Sequence, residues 1–537
     1  MTALHHSSSV RPRATTCRRH IAFGCVLLGL FCAPAHASPG APDTATPDNA
    51  ILGAVLTSGL RFIAPRTLEQ HSIREFTLWG LDGLSALDPA LVVQEEPAGK
   101  ETPARIALMM RQQILGRFDE PAKDDIAGWT ALTLKAMDAA WSVSDAVRSA
   151  GSGALLQSFY DELFNHLDPY SRYVAPSPAM QDRRARLGSG ATVGLTLDHG
   201  PHGLIISAVN ANGPAWAAGV NNGDRLMAVN GHATRGLSPS MVESWLDGDA
   251  ETPVTLTIAD GAGKVTTFSM RRAVVPPETV FAYHKNDMTI LRVTAFSSQT
   301  AEEMSQYLDQ MMQDHLTHGL ILDLRGDRGG VLQQAVTAAS LVLARGVAVV
   351  TQGRDPQANH VWAVRGGDMT DGMPVVVMVD GRTASAAEIL AAALADHRRA
   401  VVIGSATLGK GLVQTIGQMP DDGELFVTWS RVVAPLGWPL QGLGVMPQLC
   451  TSRGATDVAH QLAELAEGRQ PEAPTVRASR AMRYPASVSG ILDIRRDCPA
   501  AIGTDGDLDA AIALLGNPTA YRAALTEIPD DLAEASP

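Results

Sequence analysis

Lysine is scarce in this chain of 537 residues. Only six of its 43 basic residues are lysines, and the rest are arginines. An arginine stays protonated in a protein, whereas a lysine can lose its proton when it is buried. The chain therefore uses arginine wherever a plain positive charge suffices. A lysine in an apolar turn between two glycines, such as Lys410 in TLGKGLVQ (407–414), then calls for a chemical explanation.

Positive charge is also in short supply. The net charge is −13. Residues 1–37 hold four arginines and no acidic residue, which leaves the remainder with 39 basic against 56 acidic residues, a net charge of −17. So acidic a chain binds nucleic acid poorly, because the phosphate backbone attracts cationic surfaces. We predict no nucleic-acid partner, and two to four domains in the remaining chain.

Long apolar runs are missing. The run IAFGCVLLGLFC (21–32) is too short to cross a bilayer, which takes about 20 residues. Arginines precede it and Ala35-His36-Ala37 follows it, which is the pattern of a secretory signal peptide. We predict cleavage after Ala37, export to the periplasm and no stable membrane span. The alternative is an anchor that stays uncleaved.

Cysteine is rare as well, and three of the five cysteines lie within residues 1–37. Cys450 and Cys498 remain in the predicted mature chain. In an exported protein such a pair suggests one disulfide, and two separate buried thiols are the alternative. Two cysteines without a flanking histidine pattern make a poor zinc site. No metal and no cofactor are expected.

The composition and the spacing of apolar residues change along the chain. Residues 38–187 begin with a disordered-type leader and continue with helical apolar spacing, which predicts a helical N-terminal domain. Glycine turns separate short β-type runs in 188–275, which predicts a small β-rich domain with one or two helices. In 276–450 strands alternate with helices, which predicts an α/β core with a largely parallel, buried sheet. Residues 451–537 are predicted to be a C-terminal helical extension.

Ser385 follows a buried strand and stands at the start of a strong helix. With Glu388 it forms S-x-x-E, a capping box, so helix capping is one interpretation of this serine. The other is a nucleophile, because the free N–H groups at a helix N-terminus stabilise a developing oxyanion. A nucleophile needs a base. His397 lies about 18 Å further along a continuous helix, which excludes it as that base.

Lys410 permits two hypotheses. The segment GSATLGKG (404–411) resembles a phosphate-binding loop, but Gly411 stands where a Mg²⁺-binding Ser or Thr is required. Alternatively, Lys410 is a neutral base for Ser385. Its ordinary pKa of about 10.4 leaves few neutral molecules at pH 7, but burial lowers a lysine pKa by several units. Gln414 would then hold the amine without raising its pKa, as a carboxylate would.

Three segments together resemble the signatures of the carboxyl-terminal processing peptidases, which are S41 serine peptidases with a Ser-Lys dyad. In that family the nucleophile precedes the lysine by the spacing that separates Ser385 from Lys410, and a supporting glutamine follows as Gln414 does. LDPYSRY (167–173) and GLGVMPQ (442–448) resemble further family motifs. The resemblance implies a ClpP/crotonase-like α/β core. Its main segments are DLRGDRGGVL (323–332), DGRTASAAEILAAALAD (380–396) and IGSATLGKGLVQ (403–414).

The resemblance also implies roles for single residues. Ser385 would be the nucleophile, Lys410 its base and Gln414 the group that orients Lys410. The oxyanion hole would use backbone N–H groups of Gly329 or Gly330 and of Ala386, although a pure turn role for the glycines is the alternative. Two departures stand out. The pair Asp327-Arg328 replaces the usual Asn-Pro, and T-A-S-A-A-E replaces S-A-S-A-S-E.

The β-rich domain at 188–275 resembles a PDZ domain inserted in this family. Its loop would capture a C-terminal carboxylate, and the peptide would add as a strand beside it. The alternative is a degraded PDZ domain with a structural role only. The residues expected to contact the peptide are Val193, Gly194, Leu195 and Thr196.

These features together predict an exported serine endopeptidase that cleaves proteins near their C-termini after the PDZ domain captures an apolar tail. The expected partners are protein or peptide substrates with such tails, and an adaptor or activator is a candidate further partner. The alternative is an inactive periplasmic scaffold that binds peptides on the same fold. The changed pair Asp327-Arg328 is the sequence feature that favours the scaffold.

Overall fold

The computed structural model describes residues 46–100, 102–187, 190–200, 203–313 and 317–528, without the side chains of 184–187. The predicted signal peptide lies outside the described residues. Within the described part, every helix is too short or too polar to cross a membrane.

The N-terminal region packs helices around one apolar core and adds a small antiparallel sheet of three strands. Helical spacing alone does not predict this sheet. Its second turn uses Arg111 and Gln112 at φ 48° and 72°, where Asn or Gly would have signalled a hairpin. The elements are α1 (Asn49–Ile63), α2 (Ile73–Asp82), α3 (Leu84–Leu87), β1 (Leu91–Glu96), β2 (Arg105–Met110), β3 (Gln113–Asp119), α4 (Ile126–Val143), α5 (Asp145–Asn165), β4 (Arg172–Val174) and α6 (Pro176–Leu187).

The PDZ-like region has an apolar core of its own. Thr192 pairs with Ala273 where the chain enters and leaves it. Its strands follow the order β10-β9-β7-β6-β5, so β5 is an edge strand, and α8 packs beside it. The elements are β5 (Leu195–Gly200), β6 (Gly203–Val209), α7 (Pro214–Ala217), β7 (Arg225–Val229), β8 (His232–Ala233), α8 (Pro239–Leu246), β9 (Pro253–Ala259) and β10 (Val265–Arg271).

The third region is built on a sheet of order β11-β12-β13-β16-β17-β20, parallel from β12 onward, as the alternating pattern predicts. The elements are β11 (Val280–Lys285), β12 (Met288–Val293), α9 (Thr300–Gln313), β13 (Gly319–Asp323), α10 (Leu332–Val342), β14 (Gly346–Gln352), β15 (His360–Val364), β16 (Val375–Val379), α11 (Ala386–Asp396), β17 (Val401–Gly404), β18 (Leu412–Gln418), β19 (Glu424–Val433) and β20 (Leu449–Cys450).

A second sheet, of order β15-β14-β19-β18, stands beside the first, and β4 of the N-terminal region pairs with β19. The N-terminal core includes Leu425 and Val427 from β19. The N-terminal region is therefore joined to this second sheet by both backbone pairing and apolar packing.

Helices cover both faces of the parallel sheet. One face packs on α9, α10 and α11, and the other on three of the five C-terminal helices, where Leu514 and Tyr521 contact the strands. This explains why strands such as β16 read as unbroken apolar runs. The C-terminal elements are α12 (Ala455–Ala466), α13 (Ala473–Ala481), α14 (Val488–Asp497), α15 (Asp505–Leu515) and α16 (Pro518–Leu525).

The carboxyl ends of parallel strands meet at one edge of a sheet, where ligand and catalytic groups collect in α/β proteins. Here the loops 324–331, 380–385 and 405–411 leave that edge from β13, β16 and β17. These loops carry the glycine pair, Ser385 and Lys410.

Candidate active site

Ser385 sits on a sharp turn between β16 and α11. Its φ is +57° and its ψ −118°, a conformation that residues with a side chain rarely adopt. The loop after β13 holds the turn in place, because the Ala384 N–H donates to the Asp327 carbonyl at 2.9 Å. A strained serine at a strand-to-helix turn is how nucleophilic serines are exposed in other hydrolases.

One cavity of about 590 Å³ brings together the predicted catalytic residues and the glycine pair, whereas Ala386 does not line it. Ser385, Lys410, Gln414, Gly329 and Gly330 all line it. Apolar side chains make up most of the remaining wall. The cavity is large enough for a few side chains of a peptide and excludes part of the water around the amine.

Lys410 is half-buried, and its Nζ lies 5.1 Å from the centroid of the Tyr170 ring. Burial lowers the pKa of Lys410; the charge of Arg172 lowers it further, while the charge of Glu388 opposes the shift. In the part of the chain that the structure describes, the amine has no carboxylate within ion-pair distance. These surroundings favour a neutral amine.

The backbone around Lys410 contradicts the phosphate-loop hypothesis. A phosphate-binding loop runs from a strand into a helix and points free N–H groups at the phosphates. Here the loop runs from β17 into another strand, β18, and the Gly409 and Lys410 N–H groups donate to the Glu388 carboxylate at 2.7 and 2.9 Å. A β-carbon on Gly411 would lie 2.2 Å from the Gln441 nitrogen, so glycine is required there for packing.

Glu388 connects the serine turn with the lysine turn, a role that the S-x-x-E spacing only hints at. Its fully buried carboxylate accepts the Ser385 and Lys410 N–H groups on Oε2, and the Gly409 N–H and the Thr407 hydroxyl on Oε1. Burial raises the pKa of Glu388, and these four donors oppose the shift. The capping box is therefore also a link between the two candidate catalytic residues.

Glu388→Gln is expected to lower the free energy of unfolding by about 2–5 kcal/mol. If Oε2 becomes the NH₂ group, the Ser385 and Lys410 N–H groups face another donor. If Oε1 does, the Gly409 N–H faces one, while the Thr407 hydroxyl can turn and accept. Each lost buried hydrogen bond costs about 1–3 kcal/mol, and the amide orientation that loses two sets the expected range. Urea unfolding measures the change, with Glu302→Gln on the exposed face of α9 as the matched control. Equal unfolding of the two variants would contradict the linking role.

Gln414 lies in the same cavity as Lys410, but its amide points elsewhere. The Nε2 group donates to the Thr428 hydroxyl at 3.1 Å and to the Leu412 carbonyl at 3.2 Å. Among the described contacts, Gln414 makes no hydrogen bond to Lys410. Its role in orienting the lysine stays a prediction.

The oxyanion prediction changes at one position. The Gly329 N–H donates to Asp327 Oδ1 at 2.7 Å, so the structure removes Gly329 from the available donors. Across the described residues, the N–H groups of Gly330 and Ala386 have no acceptor. Gly329 contributes space instead, because a β-carbon on it would lie 2.7 Å from the Ala386 nitrogen.

Asp327, which replaces the family's asparagine, is fully buried behind this loop, and its Oδ2 has no hydrogen-bond partner. Burial raises the pKa of Asp327 from 3.8 to about 7, while the Gly329 N–H and the charge of Arg292 oppose the rise. An asparagine would keep an acceptor for the Gly329 N–H without a titrating group.

Asp327→Asn is expected to flatten the pH dependence of stability. Between about pH 4 and about pH 7 the folded protein keeps this proton while the unfolded chain loses it, so the free energy of unfolding of the wild type falls as pH rises. The fall is at most about 4 kcal/mol, at about 1.36 kcal/mol per pKa unit. Urea unfolding at both ends of this range tests it, with Asp309→Asn on the surface of α9 as control. An unchanged slope in Asp327→Asn would count against a buried, protonated Asp327.

Residues of the motif LDPYSRY (167–173) lie at the candidate site, although no individual role had been predicted for them. Tyr170 places its ring against the Lys410 amine, and Arg172 lines the cavity. Asp168 fixes the motif by accepting the Thr428 hydroxyl at 2.7 Å, next to Gln414. These residues lie more than 200 positions before Ser385, so the sequence does not show that they meet the catalytic region. Only the resemblance to a family motif drew attention to the segment.

The residues predicted to contact a peptide lie at the edge strand β5, against which α8 packs. Val193 and Leu195 are buried, Gly194 has φ +79°, and Thr196 is exposed on the edge strand. The Leu197 N–H on this edge strand is not available to a peptide, because it donates to Glu243 Oε1 of α8 at 2.9 Å. Glu243 therefore occupies a position that an added peptide strand would need.

The remaining predicted residues have structural contacts. Cys450 and Cys498 form a disulfide that joins β20 to the end of α14. Asp396 is buried against Arg480, and His397 bonds to the Val347 carbonyl at 2.8 Å, away from Ser385. In the ranges that the structure covers, no group of His, Cys, Asp or Glu side chains is arranged to hold a metal ion.

Comparison with known proteins gives two domain matches and several relatives. Residues 287–450 match peptidase family S41, and residues 205–260 match the PDZ domain. A carboxy-terminal-processing protease of Bartonella bacilliformis is 30% identical over 299 residues, which is 55% of this chain and 69% of that protein. A carboxyl-terminal-processing protease of Synechocystis is 31% identical over 296 residues, 53% of this chain and 69% of that protein.

Among solved structures, a photosystem II D1 C-terminal processing protease is similar, with a TM-score of 0.34 and 24% identity, over 69% of this chain and 92% of that one. The two relatives in sequence match at 30% identity or more over 69% of their lengths. The chain therefore belongs to the S41 family of serine peptidases and, within it, to the carboxyl-terminal processing proteases with a PDZ domain.

Proposed function

We propose that this chain is an exported endopeptidase that cuts proteins near their C-termini with a Ser-Lys dyad. One observation carries the proposal. Ser385 on a strained turn and Lys410, in surroundings that favour a neutral amine, line one cavity and are linked through Glu388.

The chemistry follows from these positions. Ser385 Oγ attacks the scissile carbonyl while neutral Lys410 takes its proton, and the N–H groups of Gly330 and Ala386 hold the oxyanion. The lysine then passes the proton to the leaving amine. In the second half, Lys410 takes a proton from water, which attacks the acyl-enzyme. Lys410 then returns that proton to Ser385 Oγ as the shortened protein leaves. Gln414 is proposed to keep the amine aimed into the cavity.

Export to the periplasm is part of the proposal. The signal-peptide pattern of residues 1–37 supports it, and so does the disulfide between Cys450 and Cys498, because disulfides persist in oxidising compartments. The scaffold alternative gains no support from Asp327-Arg328, since two oxyanion donors stay available despite that change. An adaptor or activator stays a prediction.

Tail capture by the PDZ domain is the second part. An apolar C-terminal tail would pair with the edge strand β5, with its carboxylate at Gly194 and Leu195. The test uses a stable reporter protein with either an apolar tail or the same tail ending in two aspartates. The apolar tail is expected to be removed about tenfold faster or more. Equal rates would contradict tail capture.

Glu243→Ala is expected to strengthen tail binding about fivefold, the effect of one net hydrogen bond, because it frees the Leu197 N–H for the peptide. Titration of a fluorescent apolar tail peptide into the Ser385→Ala protein, with and without Glu243→Ala, measures the dissociation constant. Asp249→Ala, an exposed carboxylate in the same domain, is the matched control. Weaker binding in Glu243→Ala would mean that Glu243 contacts the tail instead of blocking it.

A further inference from the structure

The cavity around Ser385 is cationic, although the whole chain has a net charge of −13. Two guanidinium groups line it, those of Arg172 and Arg328, beside the Lys410 amine, and no carboxylate from the described ranges does. Most of the other lining side chains are apolar. A cleft lined by charge of one sign between apolar walls focuses the field and attracts groups of the opposite sign.

Two acidic residues lie close by in sequence, but both are behind the cavity wall. Asp327 and Glu388 are fully buried and turn their oxygens to backbone N–H groups of the oxyanion loop, the serine turn and the lysine turn. Neither lines the cavity. Within the described residues, their positions leave the Arg328 guanidinium without an acidic partner on the surface of the cavity.

Arg328 is the more informative of the two arginines. It is exposed, and within the described structure it has no ion-pair or hydrogen-bond partner. It directly precedes Gly329, where a β-carbon would lie 2.8 Å from the Ser385 Cβ. Its backbone is thus anchored next to the reacting serine.

Arg172 supplies a second guanidinium from a different element, β4. It lies 4.0 Å from the centroid of the Phe426 ring and donates to the Tyr170 carbonyl at 3.2 Å. These contacts fix its place on the wall. A guanidinium presents a planar fork of donors that matches a carboxylate, and such charge-assisted bonds are stronger than neutral ones.

We infer that the cavity selects peptides in which a carboxylate and an apolar side chain both lie next to the scissile bond. We further infer that Arg328 is the residue that determines this specificity. The carboxylate comes either from an Asp or Glu side chain or from the free C-terminus of a short substrate. This inference rests on the proposed peptidase function, and it adds a substrate preference that the apolar tail on the PDZ domain does not provide.

Matched peptides test the inference. Within a set, the peptides share one apolar sequence and tail and differ at a single position, which is Asp, Asn or Lys. A separate set is made for each position before the tail. Every peptide is made as a free acid and as a C-terminal amide, which separates the two carboxylate sources. Mass spectrometry locates the cut, kcat/KM is measured with the wild type, and affinity is measured with the Ser385→Ala variant.

We expect Asp beside the cut to raise kcat/KM about tenfold over Asn, and Lys to lower it. The gain should appear in KM and should be weaker at high salt. Arg328→Gln should remove the gain, so that the Asp and Asn peptides are cleaved at equal rates. Arg328→Glu should reverse it in favour of Lys. Arg345→Gln, an exposed arginine of the same region, should behave as the wild type.

Two failures are distinguishable. Cleavage with no preference for Asp, or a preference that survives Arg328→Gln, overturns the inference and leaves the peptidase function in place. If no peptide is cut, the proposed function fails, and the affinities decide the inference separately. Tighter binding of the Asp peptides that depends on Arg328 supports a carboxylate site, and equal binding of Asp and Asn peptides overturns it.

Discussion

Lys410→Arg is expected to reduce kcat/KM about 10³-fold or more, although arginine is also a basic side chain of similar length. A general base contributes about 10²–10⁴-fold to catalysis, and only a neutral amine can accept the serine proton. Arginine does not lose its proton in proteins. Lys410→Ala should lose as much activity as Lys410→Arg, because both remove the base.

Initial rates of peptide cleavage across pH measure this effect. Burial and the charge of Arg172 lower the pKa of Lys410, so kcat/KM of the wild type should rise with pH as the amine loses its proton and then level off. Lys264→Arg, on the exposed surface of the PDZ-like region, is the matched control and should keep full activity. Cleavage by Lys410→Arg at a rate near that of the wild type would disprove the lysine-base mechanism.

The parallel sheet was the part of the fold most open to prediction. Strands such as β13 and β16 are buried on both faces and therefore read as unbroken apolar runs, bounded by glycines that start the loops of the site. The second sheet gave no such signal. In β18, for example, buried and partly exposed residues are mixed, and the strand is defined by its pairing with β19, which no local pattern reveals.

The candidate site shows the same division. The spacing of Ser385, Lys410 and Gln414 is a sequence property, and the cavity contains all three. The Gly329 N–H, by contrast, is lost to Asp327 through a hydrogen bond that only the folded loop shows. Arg172 reaches the cavity through the pairing of β4 with β19, so tertiary structure alone places it beside Lys410.

Ser385→Ala is the other change with a very large expected effect. Without the hydroxyl no acyl-enzyme can form, and losses of a nucleophilic serine lower kcat by at least about 10⁴-fold in other serine peptidases. The fold should be retained, because alanine removes one atom at a half-buried position and the Glu388 link uses the Ser385 backbone N–H, which remains. Urea unfolding checks that point before activities are compared.

The first measurement is intact mass spectrometry of a protein with an apolar C-terminal tail, incubated with the mature chain 38–537 or with its Ser385→Ala variant. Our account predicts that the tail is lost with the wild type and kept with the variant. Tail loss with both would contradict Ser385 as the nucleophile. No loss with either protein, together with measurable binding of the tail, would contradict the peptidase account and favour the peptide-binding scaffold.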